Sequence, residues 1–180
     1  MKFPFYNQLD SESCGPTCIR MIAKYYGKIY SHKMLAERCF ITHGGVSMLG
    51  ISEAAESIGF RTSAVRLNFD QLVNDISLPC IVHWKQNHFV VLYRISTKST
   101  FSNWKRSRIT KWIYIADPAG SLVKYTASEF SRAWISTKKD GEEKGHCLLL
   151  EPTPEFYQME GEKPKRKDIW FLLKHTFIIP

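Results

Sequence analysis

The chain has no apolar run of the roughly 20 residues that a helix needs to cross a bilayer. It also has no internal repeat and no low-complexity tract. Those absences exclude a solenoid or a helical membrane bundle within these 180 residues. The start, Met1-Lys2-Phe3-Pro4-Phe5, lacks the apolar segment of a secretory signal. Five cysteines, an odd number, form no tight framework and fit a reducing compartment, so a cytosolic location is expected. The net charge is +8, yet no RNP-like, zinc-finger or helix-turn-helix signature accompanies it. Nucleic acid is therefore not expected as a partner. The positive clusters at Lys105, Arg106, Arg108 and Lys111, and at Lys163, Lys165, Arg166 and Lys167, read as a solvated loop and a solvated tail.

What is present is a chain rich enough in apolar residues (44%) and aromatics (13%) to bury one core. Residues 14–26 place Cys18, Ile19, Ile22, Ala23 and Tyr26 on one helical face, with Pro16 in the first turn and Gly27 past the end. A second helix is expected from Ser31, with Met34, Leu35 and Cys39 inward. A third follows Ser47, with Met48, Ile51, Ala55 and Ile58 inward until Gly59. The pattern then changes to strands at 61–67, 80–84, 88–96, 111–116, 122–125 and 146–151. A helical turn at 70–74 and a helix opened by the capping box Thr126–Glu129 interrupt them. Residues 97–110 read as a polar insertion between two strands. Helices first and strands second make an α+β fold with antiparallel hairpins. The expected divisions are a domain over 1–151, a charged linker over 152–168 and an apolar segment over 169–180. A basic cluster just before an apolar stretch is what the cytosolic side of a first membrane span carries.

Chemistry centres on Cys14. It stands at the start of the first helix, where unpaired N–H groups and the helix dipole favour an anion, and the thiolate is the reactive form of cysteine. Gly15 and Pro16 leave little bulk beside the sulfur, while Cys18 faces the apolar side as a structural thiol. Two other uses of these cysteines are disfavoured by their spacing. The spacing Cys14-x-x-x-Cys18 is not that of a thioredoxin-like pair, and Cys14, Cys18, His32 and Cys39 match no common zinc pattern, so no metal is assigned. A nucleophilic cysteine needs a base and an orienting group. His88 stands between a polar turn and an apolar strand, His83 lies inside a strand and His146 opens one; the residues alone leave the choice open. Asp117, before Pro118-Ala119-Gly120, is either a turn-initiating residue or the orienter. Gln8, six residues before Cys14, offers an amide that with the Cys14 N–H could hold an oxyanion.

Together these blocks resemble a known family. Gln8, then Asp10-Ser11-Glu12-Ser13-Cys14-Gly15-Pro16-Thr17-Cys18, then Tyr25-Tyr26-Gly27 resemble the N-terminus of C39 peptidases, the peptidase domains of bacteriocin-type ABC transporters. Asn87-His88-Phe89-Val90-Val91-Leu92 resembles that family's histidine strand, Asp117-Pro118 with Gly120 its aspartate turn, and Thr42-His43-Gly44-Gly45-Val46-Ser47 the loop before its third helix. The resemblance covers roughly residues 1–151, with a longer His88–Asp117 separation than the family's. It implies a papain-like fold and cleavage after a Gly-Gly leader, coupled to export from the cytoplasmic face of the bacterial membrane. It implies Cys14 as nucleophile, His88 as general base and acid, Asp117 as orienter and Gln8 as oxyanion donor. Its expected partners are a leader peptide and the transmembrane and nucleotide-binding domains of the same transporter. No cofactor is expected for the peptidase domain itself, and ATP only in a downstream domain. A cargo-docking domain without turnover and a stand-alone peptidase are the alternatives.

Overall fold

The structure, a computed structural model, describes residues 2–41, 45–100, 108–139 and 141–161. Thr42-His43-Gly44, residues 101–107 of the expected insertion, the linker from 162 and the apolar segment 169–180 lie outside the described residues.

Three helices open the chain: α1 (Cys14–Tyr25), α2 (His32–Arg38) and α3 (Met48–Glu56). They are followed by β1 (Phe60–Leu67), α4 (Phe69–Asn74), β2 (Cys80–Trp84), β3 (His88–Thr100), β4 (Arg108–Ala116), β5 (Leu122–Thr126), α5 (Ala127–Trp134), β6 (Ile135–Lys139), β7 (Glu142–Pro152) and α6 (Pro154–Gln158). The strands form one sheet in the order β1-β7-β2-β3-β4-β5, with β6 also paired to β7. Every pairing is antiparallel, as the α+β reading requires.

Helices cover both faces of this sheet. On one face Ile19 and Ile22 of α1 and Ile51 and Ala55 of α3 pack with Ile81, Val91 and Leu148. On the other, Leu72 of α4 and Phe130 and Trp134 of α5 pack with Val82, Val90, Ile113 and Cys147. Burial on both sides is why the runs at 80–82 and 89–92 are continuously apolar rather than alternating. The start of α1 meets the start of α3 so closely that a Cβ on Gly15 would stand 2.6 Å from a methyl of Val46 and 2.7 Å from Ile51. Only glycine permits that approach, and it brings Val46 against the helix end that carries Cys14.

Three expectations are corrected. Residues 97–110 do not begin as an irregular insertion: β3 runs on to Thr100 and β4 starts at Arg108, in register from Ser96↔Trp112 to Thr100↔Arg108. The strand expected at 146–151 starts at Glu142, because its polar first half pairs with the unanticipated β6. The expected linker does not start at 152. Thr153 caps α6, and Phe156 is fully buried with its ring centroid 4.4 Å from that of Phe60. Gly59, at φ +89°, makes the seat, since a Cβ there would meet the Phe156 backbone nitrogen at 2.5 Å. Burying such a ring stabilises by about 1.5–3 kcal/mol, which favours seating 154–158 on the domain.

Candidate active site

Five of the six described helices begin with a side chain that accepts a first-turn N–H: Ser31, Ser47, Asn68, Thr126 and Thr153. The exception is α1. Ser13 holds its N-cap position with no side-chain cap. Its buried hydroxyl instead accepts from the N–H groups of Leu9 and Asp10 and donates to the Asp10 carbonyl, all at 3.3 Å. The positive end of α1 is thus left without an internal acceptor beside Cys14.

His88 opens β3 opposite Trp84, at the rim of the sheet. The β3–β4 pairing, with Val91 opposite Ala116, carries Asp117 alongside it. His88 Nε2 and Asp117 Oδ1 are 2.8 Å apart. The same Oδ1 accepts the Ala119 N–H at 2.9 Å, and the Asp117 carbonyl accepts the Gly120 N–H at 3.0 Å. Asp117 is therefore both the turn initiator and the partner of His88, and the turn's own N–H aims the carboxylate. The Cys14 side chain also acts on the His88 ring. With Nε2 held by Asp117, Nδ1 is the nitrogen left for the sulfur.

The electrostatics follow from this chain of contacts. Burial opposes a charged His88, but the Asp117 bond, then the Cys14 side chain and the charges of both partners, outweigh it and raise the imidazole to about 9. The His88 bond holds the Asp117 carboxyl below its ordinary range, against burial and with help from the Ala119 N–H. Cys14 is buried, only 5% exposed, under a cavity of about 270 Å³ lined by Gly45, Val46, Asn87 and Phe89 among others. Gln8 stands at the same rim. Its N–H donates to the Pro118 carbonyl at 2.9 Å, and its Nε2 donates to the Asp10 carbonyl at 2.8 Å. Its Oε1 is buried without a hydrogen-bond partner. Gln8 is thus tied to the aspartate turn through its backbone, while His88 and Asp117 are joined through their side chains.

The remaining candidates separate cleanly. His83 stacks on Phe89 with centroids 5.0 Å apart, and burial, then His146, lower its pKa. His146 Nδ1 lies 2.9 Å from the Ser136 hydroxyl. Cys18 is fully buried with its sulfur 3.3 Å from the Phe89 carbonyl. Burial, with Cys14, Asp117 and Cys39 adding, pushes its thiol well above the ordinary value. Cys39 is raised to about 12, again mainly by burial. Among the described residues no group of three or more His, Cys, Asp or Glu is placed to hold a metal ion. Sequence reasoning missed Ser13, whose type and place read as an ordinary cap, and the Ala119 N–H, which carries no side-chain signal.

The chain as a whole has relatives. The lactococcin-G-processing and transport ATP-binding protein LagD of Lactococcus lactis subsp. lactis is 34% identical over 139 residues, covering 74% of this chain and 18% of LagD. The colicin V secretion/processing ATP-binding protein CvaB of Escherichia coli is 30% identical over 131 residues, covering 73% of this chain and 17% of CvaB. The chain therefore spans about a fifth of the length of these relatives. The crystal structure of a double glycine motif protease from an AMS/PCAT transporter, in complex with the leader peptide, superimposes with a TM-score of 0.67 at 29% identity, covering 84% of this chain and 93% of that one. The peptidase domain of Streptococcus ComA, a bi-functional ABC transporter, gives 0.62 at 26% identity, covering 84% of this chain and all of that one. With the sequence model of the Peptidase C39 family matching residues 2–139, this chain belongs to the C39 peptidases.

Proposed function

We propose that the chain is a cysteine endopeptidase that removes double-glycine leaders from peptides exported by an ABC transporter. The observation that carries this reading is the bonded His88–Asp117 pair acting on Cys14, which stands at the one described helix start without a side-chain cap. The Cys14 thiolate attacks the carbonyl carbon of the second leader glycine, and the Cys14 N–H with the Gln8 amide receives the oxyanion. Gln8 Nε2 spends one hydrogen on Asp10 and keeps a second. As the C–N bond breaks, His88 gives its Nδ1 proton to the leaving amine, and a thioester remains on Cys14. His88 then takes a proton from water, whose oxygen attacks the thioester. The leader leaves as a carboxylic acid that loses its proton to solvent, the sulfur returns as thiolate and His88 is again protonated. Asp117 keeps the ring oriented throughout and stabilises its charged form at the start and end of the cycle.

The burial of Cys14 supports glycine at the scissile bond. A sulfur this enclosed admits a backbone without side chains more readily than one with them. The relatives' names and the leader-bound neighbour support the leader as substrate and a transporter as the setting. In that setting the domain works on the cytoplasmic face of the membrane beside transmembrane and nucleotide-binding domains. Among the described residues no helix is long and apolar enough to cross a membrane.

The test is incubation of the purified chain with synthetic Gly-Gly leader peptides, read by mass spectrometry. The expected product is cut after the second glycine, with a Gly-Gly→Leu-Leu peptide cut at least a hundredfold more slowly. Turnover that persists in Cys14→Ala overturns the mechanism. Leader binding without any product identifies a docking domain instead.

A further inference from the structure

A second cavity, of about 370 Å³, opens away from Cys14 between the N-terminal segment, the end of α1 and strands β3–β5. Its walls are aromatic. Phe3 stacks on Tyr93 with centroids 4.5 Å apart and planes 13° from parallel. Tyr93 and Tyr114 are 6.1 Å apart, and Tyr25 closes the ring 5.5 Å from Phe3. Tyr93 falls at the β3 irregularity between Leu92 and Arg94, which breaks the strict alternation of the strand there. Tyr25 remains 48% exposed, so an aromatic face is open to the cavity's side of the molecule.

The charge around these rings has one sign. Lys2 and Arg94 line the cavity, with the Arg94 guanidinium 4.8 Å over the Tyr114 ring. Lys124 is directly opposite Tyr114 on β5. The Ser96 hydroxyl, then Arg94, Lys98 and Lys124, draw the Tyr114 phenol below its ordinary value against a small effect of burial. Burial raises the Tyr93 phenol, and the one charged side chain acting on it is again a cation, Arg94. None of the described lining residues is a carboxylate. Stacking surface next to uncompensated positive charge is what a flat anion needs, and a guanidinium placed over a ring can stack on one face and bond an oxyanion at its edge.

We propose that this cavity binds a small planar aromatic anion of the size and chemistry of a nucleoside monophosphate, its base against the tyrosines and its phosphate between Lys2, Arg94 and Lys124. The volume lies at the small-ligand end of binding cavities, which favours a mononucleotide over an extended acidic peptide. The site is separate from the Cys14 centre and does not rest on the peptidase reading.

The test is titration of the purified chain by isothermal calorimetry with AMP, GMP and UMP, alongside adenosine and inorganic phosphate. The expected result is saturable binding of the monophosphates, with adenosine and phosphate each at least tenfold weaker because each supplies half of the recognition. Arg94→Glu and Tyr114→Phe separate the two halves. The first should weaken AMP at least tenfold. The second keeps the ring and should weaken it less than threefold, while Tyr114→Ala, checked for folding by circular dichroism, should match Arg94→Glu. Cys14→Ala should bind as the parent does. Phosphate binding as tightly as AMP, binding indifferent to Arg94→Glu, an acidic aromatic peptide that outcompetes every nucleotide, or no saturable binding each overturns the proposal.

Discussion

Cys14 and Cys18 are one turn apart on α1, and both meet the start of β3: the first acts on His88, and the carbonyl of the next residue, Phe89, accepts from the second. The two sulfurs differ in what surrounds them. Cys14 has an uncapped helix end, an imidazole held by a carboxylate, and an opening to a cavity. Cys18 has a backbone carbonyl and the packed face of α1, with no exposure at all. In the proposed mechanism the same thiol is a nucleophile or a filler according to a displacement of one helical turn, because the rim and the interior of the sheet begin one residue apart at His88 and Phe89.

Breaking each sulfur in turn gives the largest contrast. Cys14→Ala is expected to lower kcat/KM for a Gly-Gly leader by about 1,000-fold or more, with the melting temperature within a few degrees of the parent. Cys18→Ala should keep activity within about threefold and instead cost about 1–2 kcal/mol of stability, for the sulfur volume and its bond to the Phe89 carbonyl. Paired kinetics and urea melts read both effects. Loss of turnover in a folded Cys18→Ala would reverse the assignment of the two sulfurs.

Asp117 sharpens the contrast from the other side of His88. Asp117→Asn keeps an oxygen for the Ala119 N–H but removes the charge that stabilises the imidazolium, so a fall in kcat of about 10²–10⁴-fold is expected with KM little changed. The pH profile tests the same pair. His88 is raised in the folded chain to about 9 from an ordinary 6.5, so its contribution to stability is fully present below about 6.5 and is lost as pH rises through about 9. Asp117 is lowered, so its contribution is present above its ordinary 3.8 and disappears as pH falls through the folded value. Cleavage should therefore decline on the alkaline side with a midpoint near 9, shifted down in Asp117→Asn. A parental midpoint near 6.5 would mean that His88 works without its partners.

The amphipathic helices and the two-sided core strands were legible because their patterns are local: the buried stripe of α1, the Ser47 cap, and the Thr126–Glu129 capping box all stand where the residues put them. The polar hairpin of β6 with the first half of β7 was not. Its residues are held by pairing with each other rather than by a core, so no apolar period marks them. The helix α6 was hidden because one buried phenylalanine, Phe156, does the anchoring within a charged stretch. The site shows the same division. Cys14 was marked by its helix start, but His83, His88 and His146 look alike in sequence. Register separates them, since only the β3–β4 pairing brings a carboxylate to one of the three. The strand extension to Thr100 likewise accounts for the long His88–Asp117 separation without moving either residue.

The turn between β2 and β3 shows what the rim gives up that the interior does not. Lys85 and Gln86 both have positive φ, 49° and 62°, although neither is glycine. A left-handed conformation costs an L-residue roughly 1–2 kcal/mol. The Lys85 N–H holds the turn by donating to the Ala133 carbonyl at 2.9 Å, and the Gln86 backbone acts on the His83 ring. Neither effect uses the Gln86 side chain, so Gln86→Gly keeps both while removing the Cβ strain. Glycine's greater freedom in the unfolded chain offsets part of the gain, and the expected net is about 0.5–1 kcal/mol of added stability by urea melt. Because His88 keeps its pairing with Trp84, leader cleavage should stay within about twofold. If Gln86→Gly stabilises but cleavage falls tenfold, the strained turn is itself part of how His88 is aimed at Cys14. In that case the contrast between the two sulfurs would begin in the turn rather than at the strand's first residue.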